Sequence, residues 1–327
     1  MAGVGTSKEA AIIGAGAWGK VFASLMVQAG TKVSVWARNS RSFQGLDSSC
    51  FASTDLHRVL TGQSVLVMAL PSAAVRQVAS RLALPKDVTV VSLSKGLEAE
   101  TNLFMADVLA DALRIDRSQV VVVSGPNLSA EIAEGQPAGA VAACSDLARA
   151  QQVCPLFSTP LFRPYLSTDV IGAEVGGVVK NVIAVAVGAA AGMGYQTNTR
   201  SMLITRGLAE MARFGKALGA DEATFLGLAG VGDLVATCSS AKSRNFTFGF
   251  NMGSGMAREQ AFKVSAGVVE GARSAKAVIT IARARGIEMP ITEAVAKVVF
   301  EGGPIADMGE YLMGRSRKMD GVDIKLV

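Results

Sequence analysis

Histidine is almost absent from this 327-residue chain, with His57 the only one. The four cysteines, Cys50, Cys144, Cys154 and Cys238, form no C-x-x-C pair. These absences argue against a zinc site, and no metal is expected. They also leave little for Ser-His or Cys-His catalysis. His57 follows Asp55 in "STDLHRVL", a helix start, and reads as a surface residue. Aromatics make up only 6%, and the lysines and arginines behind a net charge of +5 are scattered. No nucleic-acid partner is expected from that pattern. A mild positive field would draw in anionic ligands, or it marks nothing more than a slightly basic soluble protein. The opening "MAGVGTSKE" is short and polar. No secretory leader is expected from it, and the expected compartment is cytoplasmic.

One stretch is conspicuously apolar. Val175–Gly194 has the length of a membrane span, but it carries Lys180 and Asn181 centrally and five glycines. It reads as a buried Gly/Ala-rich helix rather than a membrane insertion. Its lysine is either a costly buried ammonium or a side chain reaching out to solvent, and the residues alone leave both open. If the charge is buried, its removal is expected to relieve the fold.

The first half alternates short β-branched runs with helical patterns. The runs are 10–14, 32–37, 64–70, 88–94, 119–125 and 138–144, with helical stretches at 72–84 and 100–113 between them. This alternation predicts a doubly wound α/β domain with a parallel sheet. From about Ile171 helical patterns dominate. In 202–218 the spacing predicts a buried face of Ile204, Leu208, Met211 and Leu218, with Gly219 ending the helix. The expected division is a dinucleotide-binding domain over 1–170 and an all-helical substrate domain over 171–327.

"GAGAWG" (14–19) fits G-x-G-x-x-G after a buried strand and before a helix, the context that motif requires. Gly14 suits the tight turn, Gly16 a close approach of pyrophosphate, and Gly19 close helix–strand packing. The next strand ends in "WARNSR" with no acid to hold a ribose, but with Arg38 and Arg41. Arginine suits a 2′-phosphate, so NADP is expected to be accepted, and NAD is not excluded. Two later strands end in "SLSKG" and "VSGPN". In such sheets ligands bind beyond the carboxyl ends of strands, which brings Lys95 and the Gly125–Asn127 turn into consideration.

In the second half, "VKNV", "GLAGVGDLVATCSS" and "KSRNFTFG" supply Lys180, Asn181, Asp233, Thr237, Ser243, Arg244 and Asn245. This set suits a small polyol phosphate, with the Arg244 fork on phosphate and asparagines on hydroxyls. A hydroxy acid held through its carboxylate is the rival substrate. Cys238 as a nucleophile is a further reading, against that of a small buried residue. A nicotinamide-binding sensor would need no base.

The motifs "GAGAWG", "SKGLE", "GPNLSAE", "VGGVVKNVIAVAVGAAAGMG", "ITRGLAEMARFGKALGA", "TFLGLAGVGDLVATCSSAKSRN" and "VVEGARSA" together resemble bacterial-type NAD(P)-dependent glycerol-3-phosphate dehydrogenase over nearly the whole chain. The resemblance implies a Rossmann domain followed by a helical domain, usually in a homodimer. It implies interconversion of dihydroxyacetone phosphate and sn-glycerol 3-phosphate, supplying phospholipid synthesis. It implies Lys180 as the proton acceptor, with Asp233 to orient it. Lys95, Gly125, Asn127, Asn181, Asp233, Thr237, Ser243, Arg244 and Asn245 match substrate positions. Ala17, Trp18, Arg38, Lys95, Ser129, Arg244, Val268 and Glu270 match cofactor positions. Two departures stand out. The segment after the second strand is shorter than usual, and "GPSFA" reads "GPNLS", placing Asn127 and Ser129 where the family has small residues.

Overall fold

The computed structural model describes residues 8–265 and 267–315. The opening residues read for a leader lie mostly outside that range. Eight strands form one sheet: β1 Glu9–Ile13, β2 Lys32–Trp36, β3 Phe51–Ser53, β4 Val65–Met68, β5 Thr89–Ser92, β6 Val120–Ser124, β7 Ala138–Ala143 and β8 Phe162–Ser167. Their order is β3-β2-β1-β4-β5-β6-β7-β8. The first six follow the 3-2-1-4-5-6 order of a doubly wound dinucleotide fold. All six predicted strands form.

Three features of the sheet depart from the expectation. The β6–β7 pair is antiparallel, so the sheet is mostly rather than wholly parallel. β3 and β8, the two edge strands, are not among the predicted runs. Both lack the continuous apolar run of a strand buried on two faces: Phe51 and Ala52 are exposed, and β8 carries Pro164 among exposed side chains. Proline cannot donate to a ladder and is confined to edges and strand starts.

The helices of this half are α1 Ala17–Gln28, α2 Leu56–Leu60, α3 Ser72–Ala79, α4 Met105–Leu113, α5 Ser129–Ala133 and α6 Leu147–Val153. Two are shorter than predicted. α3 ends at Ala79, and α4 starts at Met105 because Leu97 and Phe104 form an isolated β-bridge just before it. Phe22, Phe157 and Phe162 are fully buried together beneath α1, with Phe22 and Phe157 4.8 Å apart. Full burial of one such ring stabilises by about 1.5–3 kcal/mol.

Beyond β8 the described chain is helical: α7 Val170–Gly192, α8 Thr197–Ala217, α9 Asp233–Ser239, α10 Arg244–Gly253, α11 Arg258–Val264, α12 Glu270–Ala284, α13 Pro290–Glu301 and α14 Asp307–Met313. The described residues form two compact units, one of 8–98 and 103–174, the other of 99–102, 175–265 and 267–315. α7 is the apolar stretch, and 94% of its most apolar window is buried inside the structure. Three of its glycines, Gly176, Gly188 and Gly192, are explained by close packing. A Cβ on Gly176 would stand 2.0 Å from the Ala229 carbonyl oxygen, and one on Gly188 2.0 Å from that of Phe246. Real Cβ atoms do not approach so closely, so these crossings exist only because both residues lack one. The buried residues of α8 are Leu203, Gly207, Glu210, Met211, Ala212, Phe214 and Gly215. Of the four residues expected there only Met211 is fully buried, and the stripe is rotated by about one residue because Gly207 and Glu210 belong to it.

Candidate active site

The turn after β1 is fixed by backbone. Gly14 N–H donates to the Trp36 carbonyl, and Ala69 N–H to that of Ile13, both at 2.9 Å. Gly14 has φ +117°, and a Cβ there would lie 2.4 Å from the Ala69 oxygen. A Cβ on Gly19 would lie 2.2 Å from the Gly14 oxygen. Gly16 is different: a Cβ there meets no protein atom within 4 Å. Packing therefore does not require that glycine. It is the N-cap of α1, with no side-chain cap and no acid in the first turn. Uncapped helix N–H groups behind an open glycine fit a pyrophosphate. Ala17 is exposed beside it. The Trp18 ring packs edge-on against Phe22 at 5.6 Å, and its buried Nε1 has no hydrogen-bond partner among the described residues. Arg38 is exposed just past β2. These residues fit a nicotinamide dinucleotide.

Past β5 and β6 the structure brings two further candidates together. Lys95 Nζ donates to the Gly125 carbonyl at 2.7 Å. Gly125 has φ +143°, with Ala140 Cα 3.0 Å from where its Cβ would be. The Asn127 amide is buried at both Oδ1 and Nδ2, and neither finds a partner among the described residues. Ser129 opens α5 and is half-buried.

In the helical unit Lys180 is buried, at 6% exposure. Its Nζ donates to Asp233 Oδ1 at 2.5 Å and to Thr237 Oγ1 at 2.7 Å. The local chain explains this meeting. A π-type turn over Leu228–Gly232, broken at Gly230, delivers Asp233 to the first position of α9. Thr237 lies one turn further on the same face. Gly176, one turn before Lys180 on α7, lets that turn press against the helix. The buried lysine is thus paired and hydrogen-bonded rather than reaching to solvent.

A second network lies next to it. Asn245 Nδ2 donates to Asn181 Oδ1, and Gly271 N–H donates to Asn245 Oδ1, both at 2.9 Å. Asn181 Nδ2 donates to the Gly177 carbonyl at 3.0 Å. The two asparagines expected to hold hydroxyls thus also tie α7, α10 and the start of α12 together. Gly271, whose amide anchors this relay, carried no signal in the sequence beyond following Glu270. Ser243 is the N-cap of α10, accepting from Phe246 N–H at 3.3 Å. Arg244 is exposed, and its Nη1 lies 2.6 Å from where a Cβ of Gly267 would be, so a glycine there leaves the guanidinium its place. Val268 and Glu270 are half-buried at the entry to α12. Burial pushes the Cys238 thiol up to about 12, with the Asp233 charge adding to the rise against Lys180. Burial therefore disfavours the thiolate that a nucleophile requires. Among the described residues no group of His, Cys, Asp and Glu is arranged to hold a metal.

Residues 9–150 match the family model for the N-terminal part of NAD-dependent glycerol-3-phosphate dehydrogenase, and residues 169–310 that for its C-terminal part. The chain belongs to this family. A relative from Streptomyces griseus named glycerol-3-phosphate dehydrogenase (NAD(P)+) is 44% identical, over 95% of this chain and 97% of its own length. One of the same name from Thermobifida fusca is also 44% identical, over 95% and 98%. The crystal structure of glycerol-3-phosphate dehydrogenase from Coxiella burnetii superposes with a TM-score of 0.89 at 30% identity, covering 94% of this chain and 99% of that one. For a glycerol-3-phosphate dehydrogenase family member, a dinucleotide turn built of backbone and a buried lysine–carboxylate pair are the two features to be given chemical roles.

Proposed function

We propose that this protein interconverts dihydroxyacetone phosphate and sn-glycerol 3-phosphate with NADPH or NADH, with Lys180 as general acid and base. The observation that carries this reading is the Lys180 ammonium held by Asp233 and Thr237 within an apolar helix. Reducing a ketone adds a hydride to carbon and a proton to oxygen. The nicotinamide, when bound, supplies the hydride. An ammonium has three N–H donors. Asp233 and Thr237 take two, leaving the third for the substrate oxygen. In reduction Lys180 protonates that oxygen, and in oxidation it receives the proton back. Asp233 keeps the amine aimed and balances its charge.

Arg244 is the phosphate ligand in this reading, since its planar fork matches phosphate oxygens. Lys95, Gly125, Asn127, Asn181, Ser243 and Asn245 serve the substrate. Gly16, Ala17, Trp18, Arg38, Ser129, Val268 and Glu270 serve the cofactor, with Arg38 admitting a 2′-phosphate. The short segment after β2 leaves the adenosine side more open. The enzyme works as a cytoplasmic homodimer and supplies glycerol 3-phosphate for phospholipid synthesis.

The test is oxidation of NADPH and NADH by purified protein. Dihydroxyacetone phosphate should support turnover and unphosphorylated dihydroxyacetone should not. Equal rates with both ketones would sink the phosphate assignment.

A further inference from the structure

The motif "SKGLE" contains a charged residue to which the proposed function gives no work. Glu98 is only 5% exposed. Its carboxylate is gripped by Arg76 of α3, whose Nε donates to Oε1 at 2.8 Å and to Oε2 at 3.0 Å. Arg76 also pairs through Nη1 with Asp111 of α4. The same short segment is fastened elsewhere. Ser94 Oγ donates to the Leu70 carbonyl, past the end of β4, at 2.6 Å. Lys95 Nζ reaches the Gly125 carbonyl, past the end of β6. Glu98 N–H donates to the Leu103 carbonyl at 3.0 Å, closing the loop that follows.

Lys95 is carried on a loop, next to Gly96, and a lysine stem has many rotamers. Where its ammonium sits therefore depends on how firmly the flanking backbone is held. A buried carboxylate is costly unless paired in good geometry, and removing one partner of such a pair leaves the other uncompensated. Nothing in loop closure alone calls for a charge at this depth. A forked guanidinium on a carboxylate does, however, fix position and direction together.

We propose that the Arg76–Glu98 pair is a positioning device that sets the Lys95 ammonium for the substrate. Glu98 itself touches no substrate and acts through Lys95. The proposal rests on the reading of Lys95 as a substrate contact.

The experiment is a double-mutant cycle on the full-length enzyme. Lys95→Ala, Glu98→Ala and the double variant are assayed with dihydroxyacetone phosphate, alongside NADPH affinity and thermal midpoint. Glu98→Ala is expected to lower kcat/KM about 10- to 100-fold, as a misplacement of about 1 Å does. The loss should fall mainly on KM for dihydroxyacetone phosphate, with any change in NADPH affinity no larger than that of Lys95→Ala. On a Lys95→Ala background the Glu98 change should add almost nothing. Glu98→Gln, nearly isosteric, and Arg76→Lys should move the same parameter less, and they decide the matter if Glu98→Ala does not fold. Full additivity, or a wild-type KM in the Glu98 variants beside an impaired Lys95→Ala, would show the pair to be structural only and overturn the proposal. A wild-type KM in Lys95→Ala would instead overturn the reading of Lys95 and take the proposal with it.

Discussion

The dinucleotide turn and the lysine network hold charge in opposite ways. The turn does it with backbone. Gly14, Gly16 and Gly19 withhold side chains, and uncapped helix amides face outward. The network does it with side chains from helices far apart in sequence, Lys180 on α7 against Asp233 and Thr237 on α9. Recognition by backbone is written in a few consecutive residues. Recognition by a network exists only after packing. The two should therefore fail differently when altered.

Lys180→Met is expected to give the largest effect. General acid–base catalysis contributes roughly 10²–10⁴-fold, so kcat should fall by that order while NADPH affinity holds. A near wild-type kcat would make the lysine structural. The structure also reverses an expectation about stability. Asp233 is 1% exposed, so removing Lys180 takes from a buried carboxylate the ammonium that pairs with it. The single variant should lose about 3–5 kcal/mol, and Lys180→Met with Asp233→Asn should recover much of it. Denaturant unfolding of both variants checks this, and an unaltered midpoint in the single variant would contradict it.

Both units also bury a carboxyl at a helix start. Glu174 accepts from Ala106 N–H of α4 at 2.8 Å, and Glu210 accepts from the Ile291 and Thr292 amides of α13. Burial raises Glu174 to about 8 and Glu210 to about 7, against an ordinary value of 4.5. Each binds its proton more tightly folded than unfolded. The associated stability is complete below about 4.5 and is lost as pH rises through the folded value. For Glu210 the change is at most about 3 kcal/mol. Glu210→Gln should flatten unfolding free energy against pH between about 4.5 and 7. A profile parallel to wild type would contradict the shift.

Two glycines of one motif should separate stability from binding. Gly19→Ala drives a Cβ into the Gly14 oxygen and should cost about 1–3 kcal/mol of stability. Gly16→Ala meets nothing in the protein, so its midpoint should hold while cofactor affinity falls by a comparable amount. Calorimetry and NADPH titration on both variants distinguish these outcomes. The smallest effect belongs to Arg38→Ala. It should weaken NADPH relative to NADH by about 1–2 kcal/mol, allowing for its exposure. Equal weakening of both cofactors would remove Arg38 from the 2′-phosphate.

The same contrast governs what the sequence disclosed. Six strands and the glycine turn were legible because each is local: an apolar run, then a fixed spacing. The edge strands β3 and β8 were not, since half-exposed residues and Pro164 imitate loop. Strand direction is absent from an apolar run, so the antiparallel β6–β7 pair could not be anticipated. The α8 face was misplaced because a glycine and a glutamate share its buried stripe, Glu210 being buried by its bonds to α13. Lys180 stood out, but its partners did not. That Asp233 and Thr237 would both reach it depended on Gly176 and on the break at Gly230, which read merely as a glycine-rich stretch.

The bareness of Gly16 has an evolutionary consequence. In the proposed reading, a pyrophosphate contact made by this backbone offers mutation no graded adjustment, because every substitution places the same first carbon where the protein itself leaves open space. Variation at that position is closer to a switch than to a dial. In the proposed reading, cofactor preference is instead adjusted at Arg38, exposed just past β2, where size and charge vary without touching the turn.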